Sequence, residues 1–403
     1  MNTMGASDRS AAIQDAATRN KAAMRAIAAG DLIGAEAALI QAVGVAREYL
    51  PAWLNLAAVR RQRNDLDGAF TAIQQALTLD GRNFAALLMS ADMLEREGRT
   101  VPAALAYGAA LANAPPDEAV DEATLQAIRR GREVHGAYTK QLGDHIHGTI
   151  AAAEDGCTAA ERRRIDSFIA MTLRVQPRYQ QSPSEYYYPG LPPIEFYERG
   201  EFPWMEEFEA QTDAIRAELA NALRESEADF KPYIHYGEHM PLDQWRELNN
   251  SPRWTSYEFY RQGEPIADRC QRAPATMRAV QALPQAVVPL RSPVAMYSAL
   301  QPRTRIPPHT GVANFRLVVH LPLVIPPGCG FRVGSATREW RIGESWVFDD
   351  TIQHEAWNDS DQPRHILICD IWSPRLSPQE RAAIAGVIAA TDVFNGTVPS
   401  GHI

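Results

Sequence analysis

Apolar and polar positions follow two different rhythms along this chain. From about residue 18 to residue 116, alanine and leucine recur at helical spacing, interrupted by short polar turns. After Pro284 the apolar residues fall in short runs bounded by Gly, Pro, Asn and Asp. Those runs predict strands at 294–300, 314–323, 330–333, 339–342, 345–348 and 364–372. The turns between them are Pro326-Pro327-Gly328, Gly334-Ser335, Gly343 and Asn358-Asp359-Ser360-Asp361. Many short strands without alternating helices favour a sandwich or jelly roll over a parallel sheet. One helix is expected between the two regions, at 205–225.

The helical region repeats itself. Gly30-Asp31-Leu32, Asn64-Asp65-Leu66 and Gly98-Arg99-Thr100 stand 34 positions apart. Ala35, Ala69 and Ala103 keep the same interval, as do Ala42, Ala76 and Ala110. Trp53 pairs with Leu87, and Ala57 with Ala91. Small residues at fixed places in a 34-residue period suit antiparallel helix pairs stacked closely, and the pattern resembles the tetratricopeptide repeat. Pro51 and Pro115-Pro116 fall where helices must stop. The expected organisation is a polar tail at 1–17, a repeat domain at 18–135, a helical connector at 136–185 and a second domain at 186–403. The repeats would either hold a peptide or protein partner or only buttress the next domain. Glu161-Arg162-Arg163-Arg164 reads as a solvated helix face.

Composition narrows the function classes. A net charge of -9 with no basic stripe argues against nucleic-acid binding. The four cysteines, Cys157, Cys270, Cys329 and Cys369, form no metal or disulfide spacing, which suits a reducing compartment. No signal-like start and no long apolar run is visible, so a cytoplasmic protein without a membrane partner is expected.

The candidate chemistry lies in the strand-rich half. His309 follows Pro307-Pro308 near the start of the sheet, and His354 lies near its end. Imidazole suits iron(II), and ligands from an early and a late strand can converge in a jelly roll. In 314–323, Phe315, Leu317, Val319 and Leu321 share one face; Asn314, Arg316, Val318 and His320 share the other. The second face would suit either a solvent-facing edge strand or a polar cavity. Arg364 shares a face with Ile366 and Ile368, where a guanidinium makes sense gripping a carboxylate.

Several segments together resemble the aspartyl/asparaginyl β-hydroxylase family. They are Pro308-His309-Thr310-Gly311, Phe348-Asp349-Asp350, His354-Glu355-Ala356-Trp357 and Arg364 through Trp372-Ser373-Pro374, with 254–263 and 187–192 upstream. The family also joins this domain to tetratricopeptide-like repeats. The resemblance implies a double-stranded β-helix dioxygenase using iron(II), 2-oxoglutarate and O2. It implies His309 and His354 as metal ligands, and Arg364 with Ser298 on the distal carboxylate of 2-oxoglutarate. It puts His320 near the cosubstrate, Arg316 on the cavity face toward cosubstrate or substrate, and Trp254 on the substrate side, although Trp254 suits a core equally well. The implied reaction hydroxylates a carbon of an Asp or Asn side chain, or of a related small acid, and releases succinate and CO2.

Gly311 stands where the wider class has a carboxylate ligand, as the family also does. Asp349 or Asp350 would supply a third ligand only if not engaged in capping the turn. Two departures bear on substrate. Val318 replaces the family's second arginine, and Met277 stands where a cysteine partner of Cys270 would be. The alternatives are a halogenase using the position vacant at Gly311, and a repeat adaptor whose jelly roll no longer catalyses.

Overall fold

The structure is a computed structural model, and it describes residues 6–396. Contacts divide the chain into two compact units, Met1–Ile169 and Ala170–Ile403.

The first unit is helical. Three antiparallel pairs follow one another: α1 (Ala6–Ala28) with α2 (Leu32–Val45), α3 (Leu50–Gln62) with α4 (Leu66–Leu79), and α5 (Phe84–Arg96) with α6 (Thr100–Leu111). The long α7 (Glu122–Glu154) and then α8 (Ala159–Thr172) complete it. The small residues of the repeat do the packing: Ala35, Ala69, Ala103, Ala42, Ala76 and Ala110 are all fully buried. Gly30, Asn64 and Gly98 all adopt positive φ, so the equivalent turns share one backbone shape. Asp31 and Asp65 cap α2 and α4 by accepting from the N–H of Gly34 and Gly68. A Cβ on either glycine would collide with the capping carboxylate.

Two expectations need correction. Residues 6–17 are no tail but the first half of α1; their polar side chains face outward while Ala12, Ile13 and Ala16 pack into the repeat core. Residues 1–5 lie outside the described residues. The boundary expected at 135/136 falls inside α7, which runs through it without a break. Glu161–Arg164 is a solvent-exposed helix face, as its charge pattern suggested.

The second unit is a two-sheet sandwich flanked by helices. Before the sheets come α9 (Met205–Glu209) and α10 (Thr212–Glu225), so the helix expected at 205–225 is broken at Ala210-Gln211. Then follow β1 (Lys231–Pro232), β2 (Trp254–Glu258), β3 (Tyr260–Arg261), β4 (Glu264–Pro265), α11 (Ala267–Arg272) and α12 (Pro274–Gln281). The remaining strands are β5 (Ala295–Leu300), β6 (Thr304–His309), β7 (Arg316–Val324), β8 (Cys329–Val333), β9 (Ala336–Arg338), β10 (Trp346–Phe348), β11 (His354–Asn358) and β12 (Arg364–Trp372), with α13 (Pro378–Asn395) last. The strand expected at 339–342 is instead β9, three residues earlier, and Trp340 lies in the loop after it. Six strands, β1 to β4 with β6 and β11, were not foreseen.

The larger sheet runs β1-β2-β5-β12-β7-β10 and the smaller β6-β11-β8-β9, with every pair antiparallel. The larger sheet buries both faces. Leu317, Val319, Leu321, Leu367 and Cys369 pack against Phe208, Ile215, Leu219 and Val280 from the helices. Trp254, Leu300, Val318, Phe348 and Ile366 face Ile306, Phe331, Val333 and Ala356 of the smaller sheet. Strand β7 is thus interior, and its polar face lines the gap between sheets rather than solvent. Among the described residues no helix is long and apolar enough to cross a membrane, and all four cysteines are free. Met277 is buried in the helix-side core, and the Cys270 thiol donates to the Phe259 carbonyl.

Candidate active site

The gap between the sheets gathers the histidines. His309 ends β6 and His354 begins β11, and the two are direct cross-strand partners. Their ring centroids lie 4.0 Å apart with planes at 52°. Each ring is fixed in the same way: His309 Nδ1 meets the Pro307 carbonyl at 2.8 Å, and His354 Nδ1 meets the Ile352 carbonyl at 3.1 Å. A carbonyl accepts from Nδ1–H, which leaves each Nε2 lone pair free to bind a cation. Burial, and the His354 ring beside it, pull the His309 pKa down to about 3; burial pulls His354 down to about 4. Both rings are therefore neutral at pH 7, the form that ligates metal.

Gly311 proves to be a packing requirement. A Cβ there would lie 2.0 Å from Asp350 Oδ2, so the Asp350 carboxylate occupies the space that a side chain at 311 would need. Asp350 is held by Arg316 at 3.0 Å, both groups buried, and its other oxygen, Oδ1, is enclosed without a hydrogen-bond partner. Asp349 instead turns away and caps, accepting from the Thr351 N–H and hydroxyl. Burial raises its pKa to about 6.

Further into the gap lie donors with nothing to donate to. Arg364 is 1% exposed, and burial strips its hydration and pulls its pKa down to about 10. It makes two long hydrogen bonds of 3.4 Å, from one terminal nitrogen to the Ser298 carbonyl and hydroxyl, and its Nε has no partner. His320 sits nearby with Nδ1 enclosed and unpartnered; burial and then Arg364 hold its pKa well below the usual range. A buried cation without an anion is costly, and a carboxylate ligand would remove the cost. The two free Nε2 positions and this cationic pocket fit an iron(II)–2-oxoglutarate pair.

Trp254 donates to the Ser298 hydroxyl at 3.2 Å, stacks on Tyr233 at 4.2 Å and reaches within 6.4 Å of the His309 ring. The residues singled out from sequence, namely Trp254, Ser298, His309, Arg316, His320, His354 and Arg364, therefore share one inter-sheet region. Sequence reasoning missed others. Trp245 meets His309 edge-on at 4.9 Å, and Trp340 and Trp346 stand within 6.5 Å of His320. Apolar aromatics in loops and short strands carry no signal that separates a site wall from a core.

The family model described as "Aspartyl/Asparaginyl beta-hydroxylase" matches residues 209–374. The chain is 35% identical over 149 residues to the Homo sapiens "Aspartyl/asparaginyl beta-hydroxylase", covering 37% of this chain and 19% of that protein. It is 32% identical over 193 residues to the "Ornithine lipid ester-linked acyl 2-hydroxylase" of Rhizobium tropici, covering 47% of this chain and 63% of that protein. It is 28% identical over 228 residues to "Aspartate beta-hydroxylase domain-containing protein 2" of Xenopus tropicalis, covering 54% and 59%. The chain thus spans about a fifth of the human protein and about three fifths of the other two. The matched segment encloses every site residue described above. Residues 209–374 thus match the aspartyl/asparaginyl beta-hydroxylase family model, and a helical repeat of tetratricopeptide type precedes them.

Proposed function

We propose that the protein is an iron(II)- and 2-oxoglutarate-dependent dioxygenase that hydroxylates a carbon of an Asp or Asn side chain in a peptide, or of a related small acid. The observation that carries this reading is the buried Arg364 guanidinium without an anion, set in the same gap as two imidazoles with free Nε2 atoms. His309 and His354 hold the metal. Arg364 and the Ser298 hydroxyl hold the distal carboxylate of the cosubstrate, and His320 lies along its length. The bound metal, cosubstrate and O2 supply the oxidant that converts substrate C–H to C–OH, while 2-oxoglutarate leaves as succinate and CO2. The chain contributes rigid positioning and a water-poor cavity. Arg316 pairs with the buried Asp350 in the same gap and keeps an unpartnered Nε–H with which to orient an acidic substrate.

The Asp350 carboxylate bears on the halogenase alternative. It fills the space beside Gly311, and its negative charge opposes a chloride ion there. Loss of catalysis in a mere adaptor would not conserve the cost of an unpaired Arg364. A second substrate reading has one observation in its favour: Trp245 and Trp254 stand against His309 and share one apolar cluster with Val318 and Leu248, which suits an acyl chain. In the repeats, a cavity of about 390 Å³ lined by Arg61, Met89, Asp92, Tyr107 and Arg130 suits a peptide partner.

The test is succinate release from 2-oxoglutarate by protein purified without oxygen and loaded with iron(II), against Arg364→Ala. Peptide and acyl substrates are compared by product mass, with chloride present. Succinate formation that depends on Arg364, with a +16 Da peptide product, is the expected result. Absence of both 2-oxoglutarate binding and iron uptake refutes the reading.

A further inference from the structure

The pocket around Arg364 has more donors than its assigned partners explain. Trp340, 4% exposed in the loop after β9, lies under the guanidinium, with Arg364 Cζ 5.0 Å from its ring centroid. Trp346 on β10 is the cross-strand partner of His320, so its side chain leaves the sheet on the same, cavity-facing side. The two indoles stack on each other at 5.7 Å and 21°, and both stack on Phe331. Their Nε1–H groups are both enclosed and both without an acceptor.

An indole N–H buried without an acceptor is destabilising, and such groups normally find a partner. Here two occur on stacked rings, one of them the ring beneath Arg364, whose own Nε is in the same condition. Beyond the two oxygens of Ser298, the pocket offers these donors no acceptor within reach. A carboxylate offers two oxygens with about four lone-pair sites, enough to serve a guanidinium, a hydroxyl and an indole together. The ring also restrains the guanidinium, because Arg364 cannot move away from Trp340 without losing its cation–π contact.

We propose that Trp340, backed by Trp346, is a cosubstrate-positioning residue: its indole N–H donates to the distal carboxylate of 2-oxoglutarate, and its ring sets the angle of Arg364 and the depth of the pocket. This assignment rests on the cosubstrate reading given above. It gives the site a means of selecting a five-carbon diacid, since the indole pair closes the end of the pocket that a longer chain would need.

The test uses the full chain loaded with zinc(II) in place of iron, so that no turnover occurs. Isothermal titration measures binding of N-oxalylglycine, which carries the distal carboxylate, and of oxalate, which lacks it. Trp340→Phe keeps an aromatic face and removes the N–H. Roughly tenfold weaker binding of N-oxalylglycine with unchanged oxalate binding is expected, the value of one hydrogen bond to a charged acceptor. Trp340→Phe should also narrow the preference for 2-oxoglutarate over 2-oxoadipate. In the wild type, the indole ¹H–¹⁵N resonance of Trp340 should move downfield with N-oxalylglycine and not with oxalate; this reading stands if the variant does not fold. An indole resonance indifferent to N-oxalylglycine, or equal losses for both ligands, overturns the assignment while leaving the cosubstrate reading intact. A wild type that binds oxalate but not N-oxalylglycine or 2-oxoglutarate overturns both.

Discussion

Replacing Arg364 with methionine should stabilise the protein in the absence of cosubstrate. The guanidinium is buried, and burial pulls its pKa well below the usual arginine range, to about 10. At ~1.36 kcal/mol per pKa unit, that drop corresponds to ~3 kcal/mol. A base whose folded pKa lies below its unfolded value is penalised in the fold wherever it is charged. At pH 7 that penalty is present in full. Methionine fills a similar volume without a charge, and it forfeits a cation–π contact with Trp340 worth ~1 kcal/mol. The expected net gain is therefore ~1–2 kcal/mol, after ~0.5 kcal/mol for the two long hydrogen bonds to Ser298. Urea denaturation of the zinc-loaded protein measures it. With N-oxalylglycine at ~100 times its Kd the wild type should gain ~2.7 kcal/mol, and Arg364→Met should gain nothing. A variant that is less stable than wild type without ligand, yet still stabilised by N-oxalylglycine, refutes the argument that this cation waits for a carboxylate.

Three further outcomes are expected. Gly311→Ala should cost more than ~2 kcal/mol, because its Cβ meets Asp350 at 2.0 Å, and the cost should shrink in an Asp350→Ala background; additive losses in the four-member cycle would refute the clash. Burial and then Arg364 pull His365 down to about 4, so its unfolded form takes up a proton near 6.5 that the folded form refuses. Stability of the metal-free protein should therefore fall as pH drops from 6.5 to 4, and His365→Gln should flatten that fall; urea midpoints at pH 7.5 and 4.5 decide it. Val318→Arg should lower stability by ~2–4 kcal/mol through an unpaired buried cation while lowering KM for acidic peptides; an unchanged KM would disconnect this position from substrate charge.

The repeat was legible because its packing rule is local. Close helix approach needs small residues at fixed phase, and the alanines at 35, 69 and 103 announce that directly. The polar face of β7 was legible as a face, though only the strand's interior place in the sheet shows that it lines a cavity. Strands β6 and β11 were hidden for opposite reasons. Thr304–His309 contains Pro307-Pro308, which argues against a strand, and it survives at the sheet edge where missing N–H groups cost little. His354–Asn358 is short and alternates with a charged Glu355 and a half-buried Trp357, so its pattern resembles a loop. The tail was misread because its polar residues lie on the outer face of α1. Asp350 filling the space at Gly311 spans 39 positions and leaves no trace in either local pattern.

That last contact constrains how this site can change over generations. A carboxylate ligand at 311 is the obvious route back to the three-ligand arrangement common in the wider class. The route is closed to a single substitution, because the new side chain would enter space already held by Asp350. Shrinking Asp350 first strands the Arg316 cation in the interior, so the other order of events also passes through a damaged protein. In the proposed two-histidine centre, positions 311 and 350 can therefore change only together.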